Sequence, residues 1–194
     1  MNRRTYLTTA CGVGSAALAG CSGIAGHTTI SDQTVDGTQS GRTTLTFADG
    51  DTEVGHLSVN GRVTSGQLRL PMEIWHQDGT SVDSIALRVW MPEVATESPA
   101  EVAVVSPVEG DSSPPPSVSL YTPERDIGTT IEVTDLDDLA DETISTLDLI
   151  VVPGAESATD VNIHGTLELS GNSLTSTDYT LDGELQLTYP ELAD

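Results

Sequence analysis

Lysine is absent from this 194-residue sequence, and all seven basic residues are arginines. Proteins that bind nucleic acid or an anionic lipid surface do so through clustered Lys and Arg side chains. Apart from the adjacent Arg3 and Arg4, the arginines here are scattered along the chain. The sequence therefore predicts no nucleic-acid partner and no electrostatic adhesion to lipid.

Recognisable catalytic motifs are missing as well. The sequence has no Gly-x-Ser-x-Gly elbow, no phosphate-binding loop and no dinucleotide fingerprint. His56, His76 and His164 lack the His-x-x-x-His spacing of a helical metal site. We therefore predict no cofactor and no enzymatic activity, although carboxylates that are able to act in pairs occur throughout the chain.

Carboxylates, in contrast, are abundant. Thirty Asp and Glu residues lie beyond position 20 with only five arginines, which gives that region a formal charge of −25. Such a surface repels itself in dilute buffer, but at about 1 M salt the Debye length is about 3 Å and the repulsion is screened. The acidic residues are interspersed with Val, Leu and Ile, which favours a folded domain over disorder. We predict a domain adapted to concentrated salt.

The first twenty residues have the pattern of a signal peptide. A short basic start is followed, from Thr8 to Gly20, by a weakly apolar stretch of Ala, Gly, Ser and Thr. A membrane-spanning helix needs about twenty strongly apolar residues, which this stretch does not supply. Residues 1–20 are therefore predicted to be removed rather than to span a membrane.

Two motifs in this segment resemble those of the lipoproteins that haloarchaea export by the twin-arginine route. Residues 3–7, which contain Arg3 and Arg4, are similar to a twin-arginine motif. A lipobox-like motif follows, formed by Leu18, Ala19, Gly20 and Cys21. The resemblance implies cleavage before Cys21 and its lipidation, so that a lipid anchor at Cys21 holds the domain on the extracellular face of the cell membrane. An ordinary secreted protein cut nearby is the alternative.

The same resemblance limits the cysteine chemistry. Cys21 is the only cysteine beyond residue 20, and lipidation would occupy its sulfur. Disulfides, zinc-thiolate sites, iron–sulfur clusters and thiolate-bound copper are thereby excluded. We expect stability to come from packing and salt.

Two regions of different composition follow the predicted anchor. Residues 21–42 are rich in Gly, Ser, Thr and Asp and are predicted to be a flexible spacer. Beyond them the apolar residues recur with a period of two, as in residues 68–74, and turn residues separate the runs. We predict a single all-β domain over residues 43–190, an antiparallel β-sandwich of immunoglobulin-like type, with a β-barrel as the alternative.

Three segments of this domain carry more specific predictions. The last apolar runs, 161–169 and 179–189, are expected to pair as a hairpin with a long connection. Residues 135–142 are the one plausible helix, too short to be stable without packing. Pro114 to Pro116 lack backbone donors, which predicts an exposed loop.

Trp75 and Trp90 are the candidates for a ligand face. Each has the opposite parity from the aliphatic row of its strand, which predicts that both indoles face outward. Exposed indoles can stack on sugar rings or hold a protein partner. The alternative is that they pack under a loop or against Arg69 and Arg88.

One acidic cluster is denser than the rest and consists of Asp135, Asp137, Asp138, Asp141 and Glu142. Carboxylate oxygens suit Ca²⁺ or Mg²⁺, but the spacing lacks the Asp-x-Asp-x-Asp-Gly pattern of a calcium loop. Some clustering is expected in a chain with so many carboxylates. We predict a solvated acidic surface and no metal site.

These features together predict a non-catalytic surface lipoprotein that acts as an interaction or accessory module of the archaeal cell envelope. Its expected partner is an envelope protein or a polysaccharide. The first alternative is a carbohydrate-binding module that uses Trp75 and Trp90. The second is an extracellular hydrolase with a carboxylate or Ser/His site, because a fold does not dictate a function.

Overall fold

The fold was examined in a computed structural model. It describes residues 26–37, 42–92, 94, 99–106, 117–124, 127–136, 144–155, 157–173 and 176–193. The predicted signal peptide, Cys21 and the prolines at 114–116 lie outside these ranges. So do Asp137, Asp138, Asp141 and Glu142.

Thirteen β-strands and one short 3₁₀ helix occur in the described residues. The strands are β1 (His27–Ile30), β2 (Gln33–Gly37), β3 (Arg42–Asp49), β4 (Thr52–Asn60), β5 (Arg62–Thr64), β6 (Gln67–His76), β7 (Thr80–Trp90), β8 (Glu101–Ser106), β9 (Ser117–Tyr121), β10 (Thr129–Thr134), β11 (Ile144–Val152), β12 (Asp160–Gly171) and β13 (Asp178–Thr188). The 3₁₀ helix is Pro190–Leu192.

The strands form two sheets that pack face to face. Sheet A has the order β1-β13-β12-β7-β10-β9, and sheet B has the order β2-β3-β4-β6-β11-β8, with β5 paired to β6. Neighbouring strands are antiparallel except β1, which runs parallel to β13. The predicted antiparallel β-sandwich of immunoglobulin-like type is therefore confirmed. The sheets do not close into the barrel that was the alternative.

The period of two places one apolar row of each strand in the space between the sheets. In β6, for example, Leu68, Leu70, Met72 and Ile74 are at most 1% exposed, whereas the residues between them are more accessible. Alternation of this kind gives each sheet one face in the core and one face toward solvent. The strand side chains that are accessible to a ligand therefore lie on the two outer faces.

Two glycines allow the two sheets to approach each other closely. Gly165 of β12 and Gly183 of β13 are directly opposite each other in the ladder. An added Cβ at Gly183 would lie 3.0 Å from Leu45 Cδ2 and from Phe47 Cε1. Phe47, the only Phe of the chain, is completely buried at this place. The glycines thus make room for the large side chains of sheet B.

The predicted hairpin at the end of the chain is present as β12 and β13. Their register pairs Val161 with Leu187, Ile163 with Leu185 and Leu167 with Leu181. The chain turns back between Gly171 and Asp178, where the Gly171 amide donates to Asp178 Oδ1 at 2.9 Å. The long strands were readily predicted because their apolar alternation is uninterrupted.

The predicted spacer over residues 21–42 is wrong from residue 27 onward. His27–Ile30 pairs with β13, and Gln33–Gly37 pairs with β3 as an edge strand. Composition misled the prediction because these edge strands are short and polar, and β2 is exposed along its whole length. The domain therefore starts about sixteen residues earlier than the predicted boundary at 43.

Little of the predicted helix at 135–142 falls within the described residues. Asp135 directly follows β10 and has a left-handed backbone conformation with φ of 60°. Its carboxylate accepts a hydrogen bond of 2.5 Å from Ser117 Oγ of β9. Asp135 thus fastens the end of one strand to the start of its neighbour.

Candidate functional site

The structure separates the two tryptophans that were predicted to share a ligand face. Trp75 belongs to β6 of sheet B, and Trp90 belongs to β7 of sheet A. Both indoles are on outer faces, as their parity predicts, but these faces look in opposite directions. The predicted ligand face formed by Trp75 and Trp90 together is therefore wrong.

Local contacts occupy each indole. Trp75 stacks on His56 with ring centroids 5.3 Å apart. Trp90 is only 8% exposed, and the Arg88 guanidinium lies 4.9 Å from its ring centroid. Gly128, with φ of 95°, brings the loop before β10 so close that an added Cβ would lie 2.7 Å from Trp90 Cβ. Trp90 is therefore packed under a loop and an arginine, which leaves little surface for a ligand.

The outer face of sheet B is held together by ion pairs. Arg42 Nη2 donates to Glu73 Oε1 at 2.7 Å, and Arg69 donates to both carboxylate oxygens of Asp148. The hydrogen bonds to Asp148 raise the pKa of Arg69 further above its usual range. A cavity of about 270 Å³ lies on this face, but the Arg42 and Glu73 side chains that line it are paired with each other.

The outer face of sheet A brings polar side chains from five strands into two cross-strand rows. The first row is Tyr121, Thr130, Arg88, His164 and Glu184, and the second is Glu132, Ala86, Thr166 and Asp182. Residues directly opposite each other on neighbouring antiparallel strands have Cβ atoms about 4.5–5.5 Å apart. Side chains from distant parts of the chain are therefore in reach of one ligand.

A depression of about 300 Å³ lies within these rows, and we call it the sheet A cavity. Its lining is Ala86, Leu87, Arg88, Tyr121, Thr130, Glu132, His164 and Thr166. Ala86 is the smallest residue of the two rows, so the surface dips where longer side chains surround it. The volume is at the lower end of the range of small-molecule sites, about 300–1,000 Å³.

Tyr121 and Glu132 form one wall of the sheet A cavity. The Tyr121 hydroxyl donates a hydrogen bond of 2.5 Å to Glu132 Oε1. This bond, with a smaller effect of burial, raises the pKa of Tyr121, so the phenol stays protonated at any physiological pH. Tyr121 as a whole residue is 44% exposed. The wall thus presents a fixed aromatic surface beside a carboxylate.

His164 and Asp182 form the opposite side. His164 Nε2 lies 3.2 Å from Asp182 Oδ2, and Thr166 Oγ1 donates to the same oxygen at 2.9 Å. A hydrolytic triad needs a hydroxyl nucleophile that is hydrogen-bonded to the histidine base, and a carboxylate that orients this histidine. Here the Thr166 hydroxyl donates to the carboxylate rather than to His164. The geometry is that of a hydrogen-bonding surface with a fixed imidazole.

A second cavity, of about 540 Å³, borders His164 on its other side. It is open to solvent and is lined by Ser31, Asp32, Gln33, His164, Asp182, Gly183 and Glu184. The Gln33 side chain both donates to the Glu184 carbonyl and accepts from the Glu184 amide, each at 3.1 Å. The Gln33 side-chain amide thus continues the pairing of β13 beyond the end of β1.

The other two histidines noted in the sequence, His56 and His76, make local contacts within the fold. His56 lies 2.5 Å from Glu53 Oε1, besides its stack on Trp75. His76 is 3% exposed at the turn from β6 to β7, with Nδ1 2.9 Å from Thr80 Oγ1. Burial lowers the pKa of His76 despite the hydrogen bond to the Gln77 carbonyl. Within the described ranges, no three His, Cys, Asp or Glu side chains are grouped in a way that could hold a metal ion.

Tyr121, Glu132 and His164 were not selected as site residues from the sequence. Each occupies an outward-facing position in the alternation of its strand, and this was the only feature of the local sequence that could have indicated it. The strand order that places residues 88, 121, 132 and 164 side by side has no signature in local sequence, because it depends on which strands pair. In the described part of the chain, no helix is long and apolar enough to cross a bilayer.

Comparisons with known proteins give one family and several distant structural similarities. A family model described as a domain of unknown function, DUF8121, matches residues 27–191. The collagen adhesin of S. aureus is 11% identical, with a TM-score of 0.35, over 85% of this chain and 97% of that one. No curated protein matches the chain.

Two further solved structures have similarly low sequence identity and TM-scores. The non-cellulosomal cohesin of Archaeoglobus fulgidus is 12% identical, with a TM-score of 0.33, over 60% of this chain and 80% of that one. The N-terminal periplasmic domain of ScsB from Proteus mirabilis is 12% identical, with a TM-score of 0.36, over 74% of this chain. The match spans about half of the ScsB chain, 49%.

Proposed function

We propose that this chain, which belongs to the DUF8121 family of domains of unknown function through residues 27–191, is a non-catalytic interaction module of a haloarchaeal cell envelope. A lipid on Cys21 would hold the module on the extracellular face of the cell membrane. Its binding surface would be the outer face of sheet A.

The sheet A cavity is the observation that carries the proposal. Its side chains are fixed by bonds to one another, as between Tyr121 and Glu132 and between Thr166 and Asp182. Polar groups that are already ordered lose little entropy when a ligand binds. The imidazole of His164 has the Asp182 carboxylate beside it, and the nearby Thr166 hydroxyl donates to that carboxylate instead of to His164, an arrangement that favours binding over hydrolysis.

The anchoring part of the proposal is supported by the sequence before the domain. Residues 18–21 resemble a lipobox, and Arg3 and Arg4 resemble the core of a twin-arginine motif. The first strand begins at His27, only six residues beyond Cys21. An extended chain of six residues spans at most about 22 Å, so an anchored domain would stay close to the membrane.

Purification from native membranes in molar salt after mild crosslinking tests both parts of the proposal. Mass spectrometry would identify the modification of the mature N-terminus and any protein or glycan crosslinked to the domain. We expect a lipid on Cys21 and a stoichiometric envelope partner. Cys21→Ser should release the protein into the medium. The matched change Cys11→Ser lies in the predicted signal peptide, which is removed, so this variant should stay on the membrane.

Three results would contradict the proposal. An unmodified Cys21, or a Cys21→Ser protein that stays on the membrane, would refute the proposed lipid anchor. A lipidated protein with no crosslinked partner would refute the proposed interaction role. Turnover of ester, glycoside or peptide substrates in molar salt that is lost in His164→Gln would show that the domain is a hydrolase.

A further inference from the structure

We infer that the sheet A cavity binds one neutral sugar ring of a glycan chain. The inference rests on the proposed function, since it names the ligand class of the same surface. It does not use Trp75 or Trp90, which face opposite sides of the sandwich. Shape, hydrogen-bonding chemistry and charge each support it.

The volume of the cavity suits a single sugar ring. The short side chains of Ala86 and Thr130 belong to its lining, and we call them its floor; Tyr121, Glu132 and His164 add longer side chains. Tyr121 is 44% exposed on the edge strand β9, and its bond to Glu132 restricts its orientation. A fixed aromatic ring offers apolar area for the C–H face of a sugar at low entropic cost.

The polar groups around the floor match the hydroxyls of a sugar. Sugar hydroxyls both donate and accept, so they need carboxylates and imidazoles as well as hydroxyl and guanidinium groups. Glu132, His164 and Thr166 supply these functions within one cavity, together with Arg88. A purely apolar ligand would leave the same groups without the water that solvates them, which disfavours such a ligand.

The charge of the cavity favours a neutral ligand. Arg88 and Glu132 oppose each other in sign, and Asp182 beside His164 adds negative charge. An acidic sugar would lie against these carboxylates, and a cationic ligand would lie against Arg88. At molar salt neither would gain from more distant charges, which are screened beyond about 3 Å. Hydrogen bonds and stacking are short-ranged and are retained in salt.

The second cavity indicates that the ligand is a chain rather than a single sugar. It lies on the other side of His164 and is lined by further hydrogen-bonding groups, among them Gln33 and Glu184. His164 borders both cavities, so neighbouring rings of one glycan would contact it from two sides. We therefore expect a hexasaccharide to bind more tightly than a monosaccharide.

Calorimetric titration of the mature full-length chain in molar salt tests this inference. The probes are maltohexaose, cellohexaose and mannohexaose, with oligogalacturonate of similar length as the acidic comparison. We expect saturable binding of at least one neutral hexaose. Tyr121→Ala and Ala86→Leu, which remove the stacking surface and fill the floor, should each weaken this binding about tenfold or more.

Matched variants on the other sheet provide the control. Trp75→Phe and Thr46→Leu alter the outer face of sheet B and should leave the affinity unchanged. Competition with glycans released from envelope polysaccharide or from envelope glycoproteins would then identify which source supplies the ring. Circular dichroism of every variant in the same buffer would separate lost binding from lost folding.

The inference is overturned if no neutral hexaose binds, if oligogalacturonate binds more tightly, or if binding survives both Tyr121→Ala and Ala86→Leu. If instead a protein is crosslinked to the domain in membranes and no sugar binds, the interaction role stands and the sugar ligand is refuted. If a neutral hexaose binds but Cys21 carries no lipid, the site stands and the anchored location is refuted.

Discussion

The outer faces of the two sheets have the same alternation of residues and yet offer different surfaces to solvent. The face of sheet B places Arg42, Arg62 and Arg69 near Glu73 and Asp148, and four of these five side chains form ion pairs. The face of sheet A carries its carboxylates on neighbouring strands and surrounds a cavity. Both faces have a cavity, but arginines and carboxylates pair with one another on sheet B, whereas carboxylates outnumber arginines on the outer face of sheet A.

The outer face of sheet A carries several carboxylates on neighbouring strands and few cations. Among them are Glu132, Glu168, Asp182 and Glu184, with Arg88 on the strand between β10 and β12. Neighbouring carboxylates repel one another most when the Debye length is long. The two faces should therefore respond differently when salt is removed.

Removal of salt should have the largest effect, and it should act first on sheet A. The Debye length grows from about 3 Å at 1 M to about 10 Å at 0.1 M, so repulsion among Asp182, Glu184 and Glu168 increases. Hydrogen exchange followed by mass spectrometry should show β12 and β13 losing protection before β4 and β6. Further dialysis should abolish the near-ultraviolet circular dichroism. A native spectrum in dilute buffer would refute the predicted dependence on salt.

A methyl group at Gly183 should disturb the joint between the two sheets. The added Cβ of Gly183→Ala would lie 3.0 Å from Leu45 Cδ2 and Phe47 Cε1, besides meeting the end of Gln33. Overpacking of a core costs about 1–3 kcal/mol, which urea unfolding in molar salt would measure. Gly37→Ala is the matched control because nothing lies within 4 Å of its Cβ position. Equal stability of the two variants would contradict the close packing.

The two ion pairs of sheet B should differ in their contribution to stability. The Asp148 side chain is 10% exposed, whereas Arg42 and Glu73 are 40% and 38% exposed. Arg69→Gln leaves a nearly buried carboxylate without its two-point partner, so it should lower Tm clearly. Arg42→Gln breaks an exposed pair, which contributes about 1 kcal/mol or less. The interpretation fails if Arg42→Gln lowers Tm as much as Arg69→Gln.

The turn from sheet B to sheet A should produce a small dependence of stability on pH. Burial lowers the pKa of His76 from its ordinary value of 6.5, although Asp78 and the Gln77 carbonyl act in the opposite direction. The unfolded chain then binds more protons than the folded chain between the lowered pKa and 6.5. The free energy of unfolding should therefore decrease as pH falls below about 6.5.

Comparison with His76→Gln would isolate this contribution. Urea unfolding of both proteins in molar salt at pH values from 7.5 to about 5.5 would give the two slopes. We expect the variant to be less stable at neutral pH, because the contact between His76 and Thr80 is lost, but to lose less stability on acidification. Parallel slopes would mean that His76 does not contribute to the pH dependence.

Much of the fold could be predicted because alternation is a local property. Leu68, Leu70, Met72 and Ile74 revealed both the strand β6 and its buried face, and the hairpin of β12 and β13 followed in the same way. The short strands β1 and β2 were missed because edge strands need no apolar row. Their place depends on pairing with β13 and β3, which are distant in the sequence.

The candidate site was less predictable than the fold. Parity correctly placed Trp75 and Trp90 on outer faces, but parity carries no information about which sheet a strand joins. Tyr121 and Glu132 attract no notice in the sequence, where eleven positions separate them. Pairing of β9 with β10 brings them into hydrogen-bonding distance. A site built across strands therefore cannot be found by examining strands singly.

Local periodicity and composition are enough to establish the class of the fold, the inward and outward parity of the long strands and the strongly acidic composition. They do not establish that β6 and β7, joined by a short turn, enter different sheets, or that Arg88, Tyr121 and His164 meet on one face. Those features depend on which strands pair, and pairing is selected by packing of the whole core, which no local pattern encodes.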